Sequence, residues 1–237
     1  GGGGEGCVVT EGIPERVRAV RRRIEAAAAA CGRDPAEIRL VAVSKTWPPQ
    51  AVAAAHEAGL GVFGENYVQE ARDKIAALAA LPLRWHLIGH LQTNKAKLAV
   101  QLFDLIHTLD SVRLAREIDR LAARLPKVQD VLIQVSLAGE ETKSGASPAE
   151  VPALLAEASR LSHLRVLGLM TIPPYFDDPE RARPYFARLR ALRDRLEEES
   201  GIALPELSMG MTGDFEAAIA EGATLVRIGT AIFGNRP

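Results

Sequence analysis

The feature that most limits how this chain folds is its rhythm: short apolar runs alternate with helical stretches along all 237 residues. Strands are predicted near Arg39–Val43, Gly61–Gly64, Arg84–Gly89, Leu105–Thr108, Val131–Val135, Arg165–Met170, Glu206–Met209 and Leu225–Ile228. Between them, helices are predicted near Pro49–Ala58, Tyr67–Ala80, Asn94–Gln101, Ser111–Arg124, Pro148–Leu161, Pro179–Ser200 and Phe215–Ala220. A further helix precedes the first strand, from Pro14, a favourable first helical residue, to Ala30 before Cys31-Gly32. Strict alternation argues for a parallel sheet, and eight strands for its closure into a barrel. The length suits one (β/α)8 TIM barrel of roughly 250 residues, with little left for a second domain. Few residues follow the eighth strand, so the N-terminal helix is expected to cover the place of an eighth outer helix. An open doubly wound sheet would put a glycine-rich dinucleotide turn after the first strand. The chain has Ser44-Lys45-Thr46-Trp47-Pro48 there, which favours the barrel. Residues 1–12, opening Gly1-Gly2-Gly3-Gly4-Glu5-Gly6, are expected to be a disordered tail, and residues 13–237 a single domain.

A formal net charge of -1 offers no basic field for nucleic acid or an anionic membrane. Arg21-Arg22-Arg23 reads as the solvated face of the first helix. No run approaches the ~20 apolar residues that span a bilayer, and no secretory signal is visible. The two cysteines, Cys7 and Cys31, show neither metal nor redox spacing, so reduced thiols and a cytoplasmic setting are expected. His86 and His90 are four apart but sit in a strand and turn without a suitably spaced third ligand, so no metal site is expected.

Polar residues gather where the strands end: Lys45, Glu65-Asn66, His90 to Lys95, Thr108, Ser136, Thr171, the Ser208–Asp214 segment, and Arg227 to Thr230. Singly, these read as caps and loop residues, and Asp110-Ser111 and Asp34-Pro35 read simply as helix caps. Together they mark one face, because the C-terminal strand ends of a parallel barrel surround its active site. Lys45 is expected to be buried there. Desolvation lowers an ammonium pKa from about 10.4 and frees the amine to attack an aldehyde. The loops after strands seven and eight supply the hydroxyls of Ser208, Thr212 and Thr230, with Gly210, Gly213 and Gly229 letting backbone N–H groups approach a phosphate. A lysine opposite a phosphate site describes a phosphorylated aldehyde, either a sugar phosphate or pyridoxal phosphate. Arg227, two residues before Gly229, favours the second. Its guanidinium can face a pyridine nitrogen and keep it unprotonated, which weakens the ring as an electron sink.

With these residues in view, the chain resembles the pyridoxal phosphate homeostasis proteins. The resemblance rests on Val41-Ala42-Val43-Ser44-Lys45, Gly64-Glu65-Asn66-Tyr67-Val68-Gln69-Glu70 and the run from Trp85 to Lys95. It continues through His107-Thr108-Leu109-Asp110-Ser111, Lys143-Ser144-Gly145, Gly168-Leu169-Met170, Ser208-Met209-Gly210-Met211 and the run from Arg227 to Gly234. It implies a barrel like the N-terminal domain of alanine racemase, with pyridoxal 5'-phosphate held as a Schiff base on Lys45. By the same implication Ser208, Thr212, Gly229 and Thr230 hold the phosphate, Arg227 faces the pyridine nitrogen, and Asn66, His86 and Met170 line the pocket. One departure is Thr212, where the family usually has serine; the hydroxyl is kept on a more restricted side chain.

The resemblance further implies intracellular cofactor homeostasis, by buffering or delivery to apo-enzymes, in a monomer without established catalysis. The second domain of alanine racemase, with its catalytic tyrosine, has no expected counterpart here. None of the three tyrosines, Tyr67, Tyr175 and Tyr185, sits in a matching context. Two enzyme classes compete with this function: a weak amino-acid racemase or lyase dependent on pyridoxal phosphate, and a lysine-dependent aldolase. Lys143, in the loop after strand five, is a candidate second acceptor amine, with a solvated loop lysine as the simpler alternative.

Overall fold

Eight parallel strands close on themselves in chain order in the computed structural model, which describes residues 9–139 and 144–235. They are β1 (Arg39–Val43), β2 (Val62–Glu65), β3 (Arg84–Leu87), β4 (Leu105–Leu109), β5 (Gln129–Gln134), β6 (Leu164–Met170), β7 (Glu206–Ser208) and β8 (Leu225–Ile228). Closure is made by β8 against β1, which sets Val41 opposite Arg227. The expected (β/α)8 barrel is therefore the observed one. Alternate strand residues face opposite sides. Val41, Leu105, Leu132, Met170 and Leu225 fill the inside of the barrel, while Ala42, Phe63, Ile106, Ile133 and Leu207 join the larger core beneath the helices.

The outer layer comprises α1 (Ile13–Ala30), α2 (Pro49–Glu57), α3 (Val68–Ala77), α4 (Ala96–Leu102), α5 (Val112–Arg124), α6 (Val151–Ser159), α7 (Arg183–Ser200), α8 (Phe215–Ala220) and the single turn α9 (Thr230–Phe233). Helix α1 buries Ile13, Val17, Val20, Ile24 and Ala28, one stripe at helical spacing. It lies against α2, α8 and α9 and so fills the gap in the outer ring, as expected. Arg16 ties it down by donating from Nε to the Ile232 carbonyl at 2.8 Å. Arg21, Arg22 and Arg23 are exposed on its other face.

Some limits differ from the sequence reading. Strand β3 stops at Leu87, short of Gly89, and β5 starts earlier, at Gln129. Gln129 is fully buried and takes its place in the strand by donating from Nε2 to the Phe103 carbonyl at 3.1 Å. Ser111 and Asp34 act as caps, accepting from the amides of Leu114 (3.1 Å) and Ala36 (2.9 Å). Asp110 does not cap. Its carboxylate takes the Gly145 amide at 3.1 Å, tying the loop after β4 to the one after β5. Of the expected tail, residues 1–8 lie outside the described residues, as do Cys7 and Lys143. Val9 is partly buried against the core, so the tail does not extend to residue 12. Among the described residues no helix is long and apolar enough to cross a membrane.

Candidate functional site

The C-terminal ends of the strands form an open mouth, and the predicted residues divide between its rim and its floor. Val43 ends β1, and Ser44, Lys45 and Thr46 turn the chain toward α2. Thr46 has a φ of 69°, the one left-handed backbone among the described non-glycine residues. Lys45 is exposed, so the burial expected for it is not found. The turn carries it past the packed interior, whereas the serine before it is fully buried.

Next to β1 around the closed barrel, β8 and then β7 bring Arg227 and Ser208 together. Arg227 is buried at 3 % exposure and donates from Nη1 to Ser208 Oγ at 2.5 Å and from Nη2 to the Thr171 carbonyl at 3.1 Å. Burial lowers its pKa to about 10, opposed by the more distant Asp214, so it is charged at neutral pH. No carboxylate forms an ion pair with it among the described residues. Ser208 is also bonded to His107 Nδ1 at 2.9 Å, and His107 Nε2 meets His86 Nδ1 at 3.0 Å. Burial, with nearby positive charge, pushes the His86 imidazole down to about 3 and that of His107 well below its ordinary range. Both rings are neutral, and they form a polar chain through the barrel interior.

Three of the expected site residues lie deeper than the rim. The Ser208 hydroxyl, expected to face a phosphate, faces Arg227 and His107 and has no exposure. His86 and Met170, expected in the pocket wall, are buried at 4 % and 0 % exposure and belong to the floor. The physical reason is the strand period: these residues point into a small barrel whose interior is filled by side chains. Sequence reasoning counted Thr171 only among the strand-end polar residues and gave His107 no role at the site.

The rim carries the remaining predicted groups. Thr212 is half-buried after β7, Thr230 is exposed after β8, and Gly229 lies between Arg227 and the first turn of α9. First-turn N–H groups of a helix lack intrahelical acceptors. Gly210 has a φ of +101°, and a Cβ there would lie 2.7 Å from that of Ala218, so this turn requires glycine. These loops fit a phosphate by their hydroxyls and free N–H groups. The unpaired guanidinium beside them fits an acceptor nitrogen. On the other side of the mouth is a cavity of about 420 Å³ lined by Asn66, Ile88, His90, Gln134, Ile172 and Pro173, among others. Asn66 Oδ1 and Gln134 Oε1 are buried without a hydrogen-bond partner.

Behind the Lys45 turn lies a group that the sequence did not announce. Lys74 of α3, 4 % exposed, has its Nζ 2.5 Å from Glu65 Oε1 at the end of β2. The contact is close but poorly aligned, since neither Glu65 oxygen meets hydrogen-bond geometry. Burial pushes the Glu65 carboxyl up to about 7, against the pull of Lys74. The carboxyl is fully buried, so desolvation is the stronger influence on it. Among the described residues no three His, Cys, Asp or Glu side chains are placed to hold a metal. His90 stands at the rim, 4.0 Å from Asp110, away from His86.

Comparison with known proteins shows the family and the fold. The family described as "Alanine racemase, N-terminal domain" matches residues 16–237. The pyridoxal phosphate homeostasis protein of Aquifex aeolicus (strain VF5) is 50 % identical over 222 residues, covering 94 % of this chain and 97 % of the relative. That of Escherichia coli (strain K12) is 46 % identical over 232 residues, with coverage of 94 % and 97 %. The structure of PipY from Synechococcus elongatus PCC7942 with PLP bound superposes with a TM-score of 0.84 at 40 % identity, covering 94 % of this chain and all of that one. An alanine racemase from Clostridium difficile 630 superposes at 0.74 with 15 % identity over 57 % of its length, a likeness of fold alone.

Proposed function

The chain belongs to the pyridoxal phosphate homeostasis protein family, and from that premise we propose that it binds pyridoxal 5'-phosphate covalently through Lys45. In this reading it buffers the cofactor or delivers it to apo-enzymes and turns over no substrate. The observation that carries the reading is Arg227, a buried guanidinium with no carboxylate ion-pair partner among the described residues, set beside two loops suited to a phosphate. When bound, the cofactor supplies an aldehyde that condenses with a primary amine. Lys45 offers that amine from an exposed turn, where incoming amines also have access. Thr212, Gly229, Thr230 and the first turn of α9 hold the phosphate. Arg227 holds its own charge beside the ring nitrogen and so keeps a proton off it. Ser208 serves by fixing the guanidinium at 2.5 Å, and Asn66 stands at the rim toward the open cavity.

Exposure of Lys45 favours release over catalysis. Tyr67 and Tyr175, on the loops after β2 and β6, are 59 % and 88 % exposed, too open to water for an acid held in a desolvated site. The test is to mix loaded protein with an apo-enzyme that needs the cofactor, and separately with a panel of amino acids. Activation of the apo-enzyme with no amino acid consumed or racemised is the expected result. Steady turnover of an amino acid that disappears in Lys45→Ala would replace this function with the enzymatic one.

A further inference from the structure

Lys45 stands between two residues whose backbone groups are gripped from the helix layer. Before it, the Ser44 carbonyl accepts from Lys74 Nζ at 2.6 Å. After it, the Thr46 amide donates to Glu70 Oε1 at 2.5 Å. Glu70 and Lys74 are one turn apart on α3 and are themselves paired at 3.2 Å. Lys74 is anchored in turn by Glu65 at the end of β2. The turn needs holding, because a β-branched residue is disfavoured at the φ of 69° that Thr46 adopts.

We propose that Glu70 and Lys74 are positioning residues, a clamp that fixes the Lys45 turn in its left-handed form and presents the amine to the barrel mouth. The clamp explains how a lysine on an exposed turn is kept in one place: its neighbours are restrained, while its own side chain stays free to exchange. The inference rests on the reading of Lys45 as the cofactor anchor. Glu70 is the member to test, because it lies at the helix surface with 31 % side-chain exposure and touches no part of the mouth except the Thr46 amide.

The experiment compares Glu70→Ala and Glu70→Gln with wild type. Amide hydrogen exchange at Thr46 is followed by NMR in cofactor-free protein, and the rate of pyridoxal phosphate capture is followed by absorbance. Loss of a charge-assisted hydrogen bond predicts that Glu70→Ala exchanges the Thr46 amide and captures the cofactor with changes of about tenfold, faster and slower respectively. Glu70→Gln retains an acceptor oxygen and is expected to restore most of both. Unaltered Thr46 exchange in Glu70→Ala, or faster exchange with an unaltered capture rate, would overturn the clamp. A separate control, Lys45→Ala, isolates the premise: normal capture by that variant removes the anchor and the clamp's purpose with it.

Discussion

Between pH 6.5 and 5.0 the folded protein is expected to lose about 2 kcal/mol of stability, well before ordinary carboxylates titrate. His86, lowered to about 3, and His107, well below its usual value, stay neutral in the fold, while the unfolded chain protonates both below 6.5. Their folded values are depressed, so their contribution is present above pH 6.5 and is lost as the pH falls. Glu65 acts in the opposite sense. Its folded pKa is raised from 4.5 to about 7, so from pH 7 down to 4.5 the fold takes up a proton that the unfolded chain does not. Two protons bound by the unfolded chain less one bound by the fold leave a difference of one, or about 1.4 kcal/mol per pH unit. Below pH 4.5 the unfolded glutamate also protonates, and the slope steepens to about 2.7 kcal/mol per unit until His86 titrates. Urea denaturation at a series of pH values measures this directly. A flat profile between pH 7 and 5 would mean that the two rings are not held neutral, and the polar chain behind Arg227 would have to be redrawn.

A second large effect is expected from a single methyl group. Gly168 in β6 pairs with Glu206 in β7, and a Cβ at Gly168 would lie 1.8 Å from the Glu206 carbonyl oxygen and 2.6 Å from its carbon. Both atoms are backbone, so no rotamer change relieves the overlap, and the two strands must separate. Gly168→Ala is expected to destabilise the fold by about 3 kcal/mol, at the upper end for overpacking. Because β7 carries Ser208, the change is also expected to loosen its contact with Arg227 and weaken cofactor binding. A thermal midpoint within about 2 °C of wild type would show that the β6–β7 approach is softer than this structure has it.

The architecture was legible because the sequence repeats one physical pattern. Strands such as β5 carry unbroken apolar runs, here Val131-Leu132-Ile133, that reveal them, and α1 shows its stripe at Ile13, Val17, Val20 and Ile24. Limits were less legible where a polar residue is buried inside a strand. Gln129 opens β5 because Phe103 offers it a carbonyl, a partner 26 residues away that no local pattern reveals. At the site, the strand-end motifs located the mouth and the pair of loops after β7 and β8. They did not separate rim from floor. Ser208, His86 and Met170 are strand residues whose parity turns them inward, whereas Thr212 and Thr230 follow the strands and remain on the rim. Lys45 was misjudged for the same reason, since two residues beyond Val43 the alternation no longer fixes burial. Lys74 was hidden differently. On a solvent-facing helix a lysine reads as exposed, and only the Glu70 one turn earlier hinted at a pairing.

Whether Lys45 is the covalent anchor for pyridoxal phosphate is decided by a visible absorption spectrum with borohydride trapping. Wild type and Lys45→Ala are loaded with the cofactor, reduced, and their intact masses and tryptic peptides compared. Wild type is expected to show a visible band that borohydride bleaches, with one cofactor fixed on the peptide containing Lys45, and Lys45→Ala neither the band nor the adduct. A wild-type protein that stays colourless with added cofactor, or an unchanged adduct in Lys45→Ala, would contradict it.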